Sequence, residues 1–396
     1  MKQTSRQPRG AALIIAMLVM AVLLLAGTTF LTISSTENAI ALNERVSAQA
    51  FLLAEAGLNK AIATLNGSST YSGETNTSLG SGKFTVTVAT AAGCTATSAR
   101  DIVATGSVPV AGGQAQVQLR TIVDQIAYPF RWGAFATVPN GVETGDRQEK
   151  ELWLKNNSTT DSFDSTLGAY DATTNKGSVG SIGANGDVTL DTNTAISGSV
   201  TTGATTIHGA SGVTISGSQT TSAPSQSFPS ITPSTTPTIP LVVGNTAIVN
   251  LMAGTYYYTN IKFGNNSKLT TSGGLVTIYV TGEVDLGNGV TFGANPGTNL
   301  QIIAKSDGSD ISSASFTEPT LEIGNNFTFY GSFYGRNTDI KLGNYAKIYG
   351  SMIARTIKMG NNSQIHSDQA MSNQAVCTNG KYIVRRGTWR EVIPSS

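Results

Sequence analysis

The sequence predicts an α+β chain: a long N-terminal helix carrying a small antiparallel sheet, followed by a parallel β-helix. Three observations lead there. Residues 10–36 hold no charged side chain, and the helical pattern continues beyond them. Residues 83–124 contain three runs with apolar residues at alternate positions. After residue 240 the pair Gly-Asn recurs, following an apolar–x–apolar triplet or a near match.

The apolar run over 11–33 is long enough to cross the roughly 30 Å hydrocarbon layer of a bilayer as a helix. Lys2, Arg6 and Arg9 precede it with no acid among them, which keeps that end in the cytoplasm and sends the rest outward. A cleavable secretory signal is the competing reading, but its apolar part is only roughly 7–15 residues. Here residues 37–65 contain no Pro and one Gly. Phe51, Ala54, Leu58, Ile62 and Leu65 recur at three- and four-residue steps, one face of a helix. Asn, Gly, Ser and Thr over 66–71 end it. The helix therefore spans 11–66, greasy all round in its first half and amphipathic in its second. Over 67–128, the runs 83–89, 101–106 and 114–124 read as strands, with Gly112-Gly113 between the last two. Their apolar side is expected to cover the helix face.

These residues carry a resemblance. A short basic leader ending in Gly10, then Ala11-Ala12-Leu13-Ile14-Ile15 and an apolar helix, looks like the class III signal of type IV pilins and pseudopilins. Asn43-Glu44-Arg45 and Ala50-Phe51-Leu52-Leu53-Ala54-Glu55-Ala56-Gly57-Leu58 are similar to the N-terminal region of PilX-type minor pilins, and residues 101–106 resemble the head of that family. The resemblance implies a 1–10 leader, cleavage between Gly10 and Ala11 by prepilin peptidase, and N-methylation of Ala11. It implies an inner-membrane precursor with a periplasmic head, then an extracellular pilus in which other minor and major pilins are the partners. Major pilins carry Glu as the fifth residue after the cut; here that residue is Ile15. Its absence fits a minor, initiating, tip or adhesive subunit.

Charged residues are 12% of the chain and the net charge is +1. No basic stripe stands out, so nucleic acid is not expected as a partner. Cys94 and Cys377 fall in an oxidising compartment if the topology holds. Two arrangements stay open: separate thiols, or one bond across 283 residues. The bond would bring the chain back to the head and make the β-helix an insertion in it.

Residues 129–177 read as a connector that packs its aromatics. A sugar-binding surface on Trp132 and Trp153 is weighed against it, buried packing being the commoner fate of Trp. From 178 to 370 short apolar alternations are separated by Gly and Asn. Five prolines over 219–240 mark an exposed extended loop or linker. The six pairs begin at Gly244, Gly264, Gly287, Gly324, Gly343 and Gly360, at steps of 20, 23, 37, 19 and 17. Periods near 20 point to a solenoid. Gly and Asn tolerate the positive φ of a corner, and the uneven steps favour a right-handed β-helix. Asn residues at equivalent corners are expected to bond up the stack. Residues 371–396 read as a terminal hairpin around Arg386-Gly387.

No GxSxG, HExxH or P-loop pattern occurs, no cofactor is expected, and the chain is not expected to be an enzyme. The carboxylates Glu283, Asp285, Glu322, Asp339 and Asp368 carry the opposing reading, a membrane-tethered polysaccharide-active β-helix, because glycosidases need two acids facing one cleft. Asp285 and Glu322, each two residues before a Gly-Asn pair, could share a face. His208 and His366 are isolated. Residues 185–193 hold oxygens enough for calcium but lack EF-hand spacing, so no metal site is expected. Surface glycans are a candidate ligand, and a type II secretion pseudopilin is a third reading.

Overall fold

The computed structural model describes residues 9–93, 99–110, 113–139, 151–231, 233, 235–304, 320–378 and 381–393. The chain is α+β, one long helix followed by a largely β region. It forms two compact units, Met1–Asp124 with Tyr382–Ser396, and Gln125–Lys381.

In the first unit, α1 (Arg9–Gly67) is one uninterrupted helix of 59 residues, about 90 Å long at 1.5 Å per residue. It contains no Pro and is rich in Ala and Leu, the residues that lose least on entering a helix. Four strands follow: β1 (Gly73–Leu79), β2 (Gly82–Ala91), β3 (Ala99–Val110) and β4 (Gly113–Asp124), paired in that order and antiparallel. Gly112, read as part of the β3–β4 turn, lies outside the described residues. The sequence signalled three of these strands. It missed β1, an edge strand with little apolar content that turns aside at a bulge between Glu74 and Thr77.

The buried helix face is Ala50, Leu53, Ala54, Leu58, Ala61 and Leu65, packed on Phe84, Val86, Ile102, Ala104 and Leu119. Phe51 and Ile62 only flank it. The small residues let the layers close tightly. A Cβ on Gly106 of β3 would lie 2.0 Å from the Ala50 carbonyl oxygen, and one on Gly57 would lie 2.8 Å from the Phe84 ring. Backbone therefore meets backbone where sheet crosses helix.

The expected terminal hairpin does not form. Ile383–Val384 and Arg390–Val392 both pair with β4, antiparallel to it and in the same direction as each other. They make one edge strand broken by a turn over 385–388, where Thr388 accepts from the Ile122 amide and donates to the Arg385 carbonyl. Tyr382, 4% exposed, completes the helix–sheet core, and Asn66 pairs with its backbone amide and carbonyl. Edge pairing wins over a hairpin because β4 otherwise leaves a row of unpaired peptide groups.

In the second unit, all pairings of the 21-stranded sheet are parallel. One inward row reads Leu241, Ile261, Val284, Leu321, Ile340, Ile357, Leu152 and Val188, each in register with the next. A second starts Val249, Leu269, Phe292 and Phe329, and a third starts Tyr256, Ile278, Ile302 and Phe333. Both keep the same spatial order, and the three inward rows form one apolar core.

That spatial order is not the chain order. The level of Ile357, the last in sequence, stacks on the level of Leu152, the first. Levels 152, 188 and 208 then run one way, while the chain re-enters at residue 241 at the opposite end of the stack. First and last levels are thus neighbours. Ile126–Ala127 and Val376–Cys377, the flanking segments, pair antiparallel beside them.

Two expectations are corrected here. Residues 129–177 are not a connector: Ala134–Ala136, Leu152–Leu154 and Thr159–Phe163 are strands of the stack. Residues 219–240 are not a free loop either. Gln219–Thr220 is a strand of the stack, and the described residues between 221 and 240 link one end of the stack to the other as a strap, with Phe228 and Ile231 buried among Phe135, Tyr279, Ile303 and Tyr334. Tyr334 donates to the Pro229 carbonyl, Arg336 donates to that of Phe228, and Asn185 accepts from the Gln226 amide. The prolines keep the strap extended, and its apolar residues cover an aromatic row.

Candidate functional site

Gly10 and Ala11 lie in the first turn of α1. Between residues 13 and 42 the large apolar side chains are exposed, Ile15 at 63%. The helix is long and apolar enough to cross a bilayer, with a mean hydropathy of 2.6 over its apolar window. The threonine hydroxyls of its apolar half are spent internally. Thr28, Thr29, Thr32 and Thr36 donate to carbonyls three or four residues back, the arrangement that lets polar side chains sit in hydrocarbon. Where the family resemblance places an acid, Ile15 joins Ala16, Val19, Met20 and Leu23 in one apolar strip.

On the stacked unit, Asp285 and Glu322 do share a face and are directly in register. Stacked on adjacent levels, they line one open depression together with Lys341. Each is exposed and paired outward along the row, Asp285 with Lys262 at 3.2 Å and Glu322 with Lys341 at 3.9 Å. Glu283 is exposed nearby. Asp339 takes a two-pronged bond from Arg355, at 2.8 and 2.6 Å, and one from Thr356. Asp368 is buried, which pushes its pKa up, and accepts from the amides of Ser165 and Ala370.

His208 is exposed, 3.8 Å from Asp187. His366 is buried against Asp161 at 2.5 Å, with the Tyr170 ring 3.8 Å away. It sits where the last level meets the first. The two indoles are occupied as well: Trp132 packs on Phe135, and Lys358 and Lys155 lie over Trp153 at 4.7 and 5.2 Å.

Within 185–193, Asn185 holds the strap, and the Asp187 amide donates to Glu151 at 2.6 Å. Burial pushes the Glu151 pKa up to about 7. Among the described residues no group of side chains has the make-up of a metal site.

The Gly-Asn corners form a ridge. The amide of each Asn donates to the side-chain oxygen of the Asn one level before it, at 2.8 Å, from Asn265–Asn245 through Asn361–Asn344. The expected ladder is present. The reason for glycine differs from the one read from sequence. Positive φ falls on the third corner residue: Thr246, Asn266, Gly289, Asn326, Tyr345 and Asn362. The first position is Gly because the preceding level lies against it. A Cβ on Gly264, Gly324 or Gly343 would stand 2.4–2.6 Å from that level. At Gly244, on the end level, nothing lies within 4 Å. Lys155-Asn156-Asn157 is the same corner with Lys in the first place, Asn157 having φ +57°. This substitution hid the first level from the repeat count; the triplet Leu152-Trp153-Leu154 before it was the available signal.

Residues 9–59 match the PilX N-terminal family, and residues 215–374 match a domain of unknown function, DUF7305. The second match covers the strap and the levels that follow it. No curated protein matches the sequence. Among solved structures, the competence-associated pilin ComZ from Thermus thermophilus aligns at 10% identity over 88% of this chain and 98% of that one, with a TM-score of 0.24, too low to support an argument. On the PilX match, the N-terminal region is type IV pilin-like.

Proposed function

We propose that this protein is a minor pilin of a type IV pilus, inserted in the inner membrane with a periplasmic head and then carried into the extracellular pilus. Prepilin peptidase cuts between Gly10 and Ala11, Ala11 is N-methylated, and the apolar half of α1 joins the helices of other minor and major pilins. The second unit is a β-solenoid, its parallel levels being the coils, and it is the exposed, adhesive part at the pilus tip. The chain is not an enzyme; Asp285 and Glu322 are surface ion-pair partners.

The observation that carries this reading is one helix whose first half is wholly exposed and apolar while its second half is covered by a sheet, in the region with the PilX match. Ile15 supports a low copy number: an acid there would be costly in an apolar filament core unless it met a neighbour's charged amine.

The test is N-terminal sequencing of the mature chain together with quantitative mass spectrometry and immunogold labelling of sheared pili. The expected result is a start at Ala11, few copies, and label at filament ends, with Gly10→Val leaving an uncut precursor absent from pili. An uncut Met1, or this chain as the dominant subunit, would overturn it.

A further inference from the structure

We propose that the corner ridge around Tyr345 is a binding site for a neutral, extended polysaccharide. This rests on the reading of the solenoid as the surface-contacting part and supplies its ligand class. The third residue of each corner has φ between +57° and +69°, and from residue 246 to 362 the side chains there are Thr, Asn, Gly, Asn, Tyr and Asn. Left-handed backbone suits Gly and Asn and strains a bulky aromatic. Thr246, at φ +58°, and Tyr345, at φ +60°, are the misfits, and Thr246 donates its hydroxyl to the Asn245 carbonyl whereas Tyr345 has no such bond among the described residues. Packing does not compensate Tyr345. Its side chain is 55% exposed, and among the described residues its ring and hydroxyl have no partner. A strained, half-exposed aromatic with no ring or hydrogen-bond partner among the described residues points to a role outside the fold.

Its surroundings supply the rest of a sugar site. The ladder uses the side-chain oxygens of Asn325 and Asn344. It leaves their amide nitrogens without an acceptor among the described residues, and the whole carboxamide of exposed Asn326 is likewise unpaired. Levels of a β-sheet are about 4.8 Å apart, close to the length of one residue in an extended glycan. A chain lying along the ridge would meet a carboxamide at each level and the Tyr345 ring once, the ring taking a pyranose C–H face and the amides its hydroxyls. The corner residues from 244 to 362 are all uncharged, and the charges beside them are of both signs, Asp285 and Glu322 against Lys341 and the exposed Lys347. A neutral glycan therefore fits better than a polyanion.

The test is calorimetric titration of the mature full chain in detergent with chitohexaose, cellohexaose and an alginate hexamer. The expected result is binding of at least one neutral hexaose, retained by Tyr345→Phe and weakened at least tenfold by Tyr345→Asn. Tyr345→Asn should also raise Tm, because it relieves the corner. No binding of either neutral hexaose, a salt-sensitive preference for alginate, or a fall in Tm on Tyr345→Asn would overturn the proposal. Pilus incorporation is scored separately on the same variants. A wild type that enters pili but binds neither neutral hexaose therefore refutes only this site, and a wild type that binds but is absent from pili refutes only the pilin reading.

Discussion

The backbone amide of Asn344 donates to the side-chain oxygen of Asn325 at 2.8 Å, and that bond leaves no room for a Cβ on the residue before it. A Cβ on Gly343 would stand 2.6 Å from the Gly324 carbonyl carbon. The ladder and the glycine are thus one device: close approach of two corners makes the hydrogen bond possible and excludes any side chain at the first position.

Gly343→Ala should therefore destabilise the stacked unit by about 1–3 kcal/mol, the usual penalty for forced overpacking. Gly244→Ala occupies the equivalent corner with open space around it and should change stability by less than about 0.5 kcal/mol. Urea unfolding of both variants checks this. Equal losses would mean that glycine is required for its backbone freedom and not for the close approach.

The terminal strand belongs to the head. Ending the chain after Lys381 removes Tyr382 from the core and uncovers the outer edge of β4. Hydrogen exchange at residues 118–124 should accelerate by an order of magnitude or more, since protection tracks local opening. Tyr382→Ala alone should cost about 3 kcal/mol, as expected for emptying an aromatic-sized core site. Unchanged exchange along β4 would contradict the edge pairing.

Glu151 makes the stacked unit sensitive to pH. Its folded pKa, about 7, lies above its ordinary value of 4.5, so between these two the folded chain binds more protons than the unfolded one. Its contribution is then fully present at low pH and is lost as pH rises through 7. Wild-type stability should fall from pH 5 to pH 8 more steeply than that of Glu151→Gln. Thermal melts of the pair at both pH values test this, and parallel profiles would refute it.

Cys94 lies outside the described residues, in the stretch joining β2 to β3. Cys377 is on the strand that pairs with Ile126, five residues before the chain re-enters the head at Tyr382. A Cys94–Cys377 disulfide is the expected outcome, stabilising by about 5 kcal/mol in the chain-entropy account, less any strain. Peptide mapping without reductant is the measurement, and two alkylated thiols would disprove the bond.

The long helix, the three main strands of the head and the Gly-Asn repeat were legible because each is a local signal. An uncharged run, an alternation and a recurring dipeptide are set by a few neighbouring residues and the periods of helix and strand. The Asn ladder followed from the repeat in the same way. The stacking order was not legible. Nothing near Leu152 says that its neighbour is Ile357 and not Leu241, since parallel pairing joins residues far apart in sequence and is decided by which edges are free once each half has formed. For the same reason the strap read as a loop: Phe228 and Ile231 are apolar residues among Ser, Thr and Pro until the aromatic row beneath them exists. The Tyr345 site was equally hidden. Only the folded corner imposes a left-handed backbone on that residue and leaves its ring in solvent.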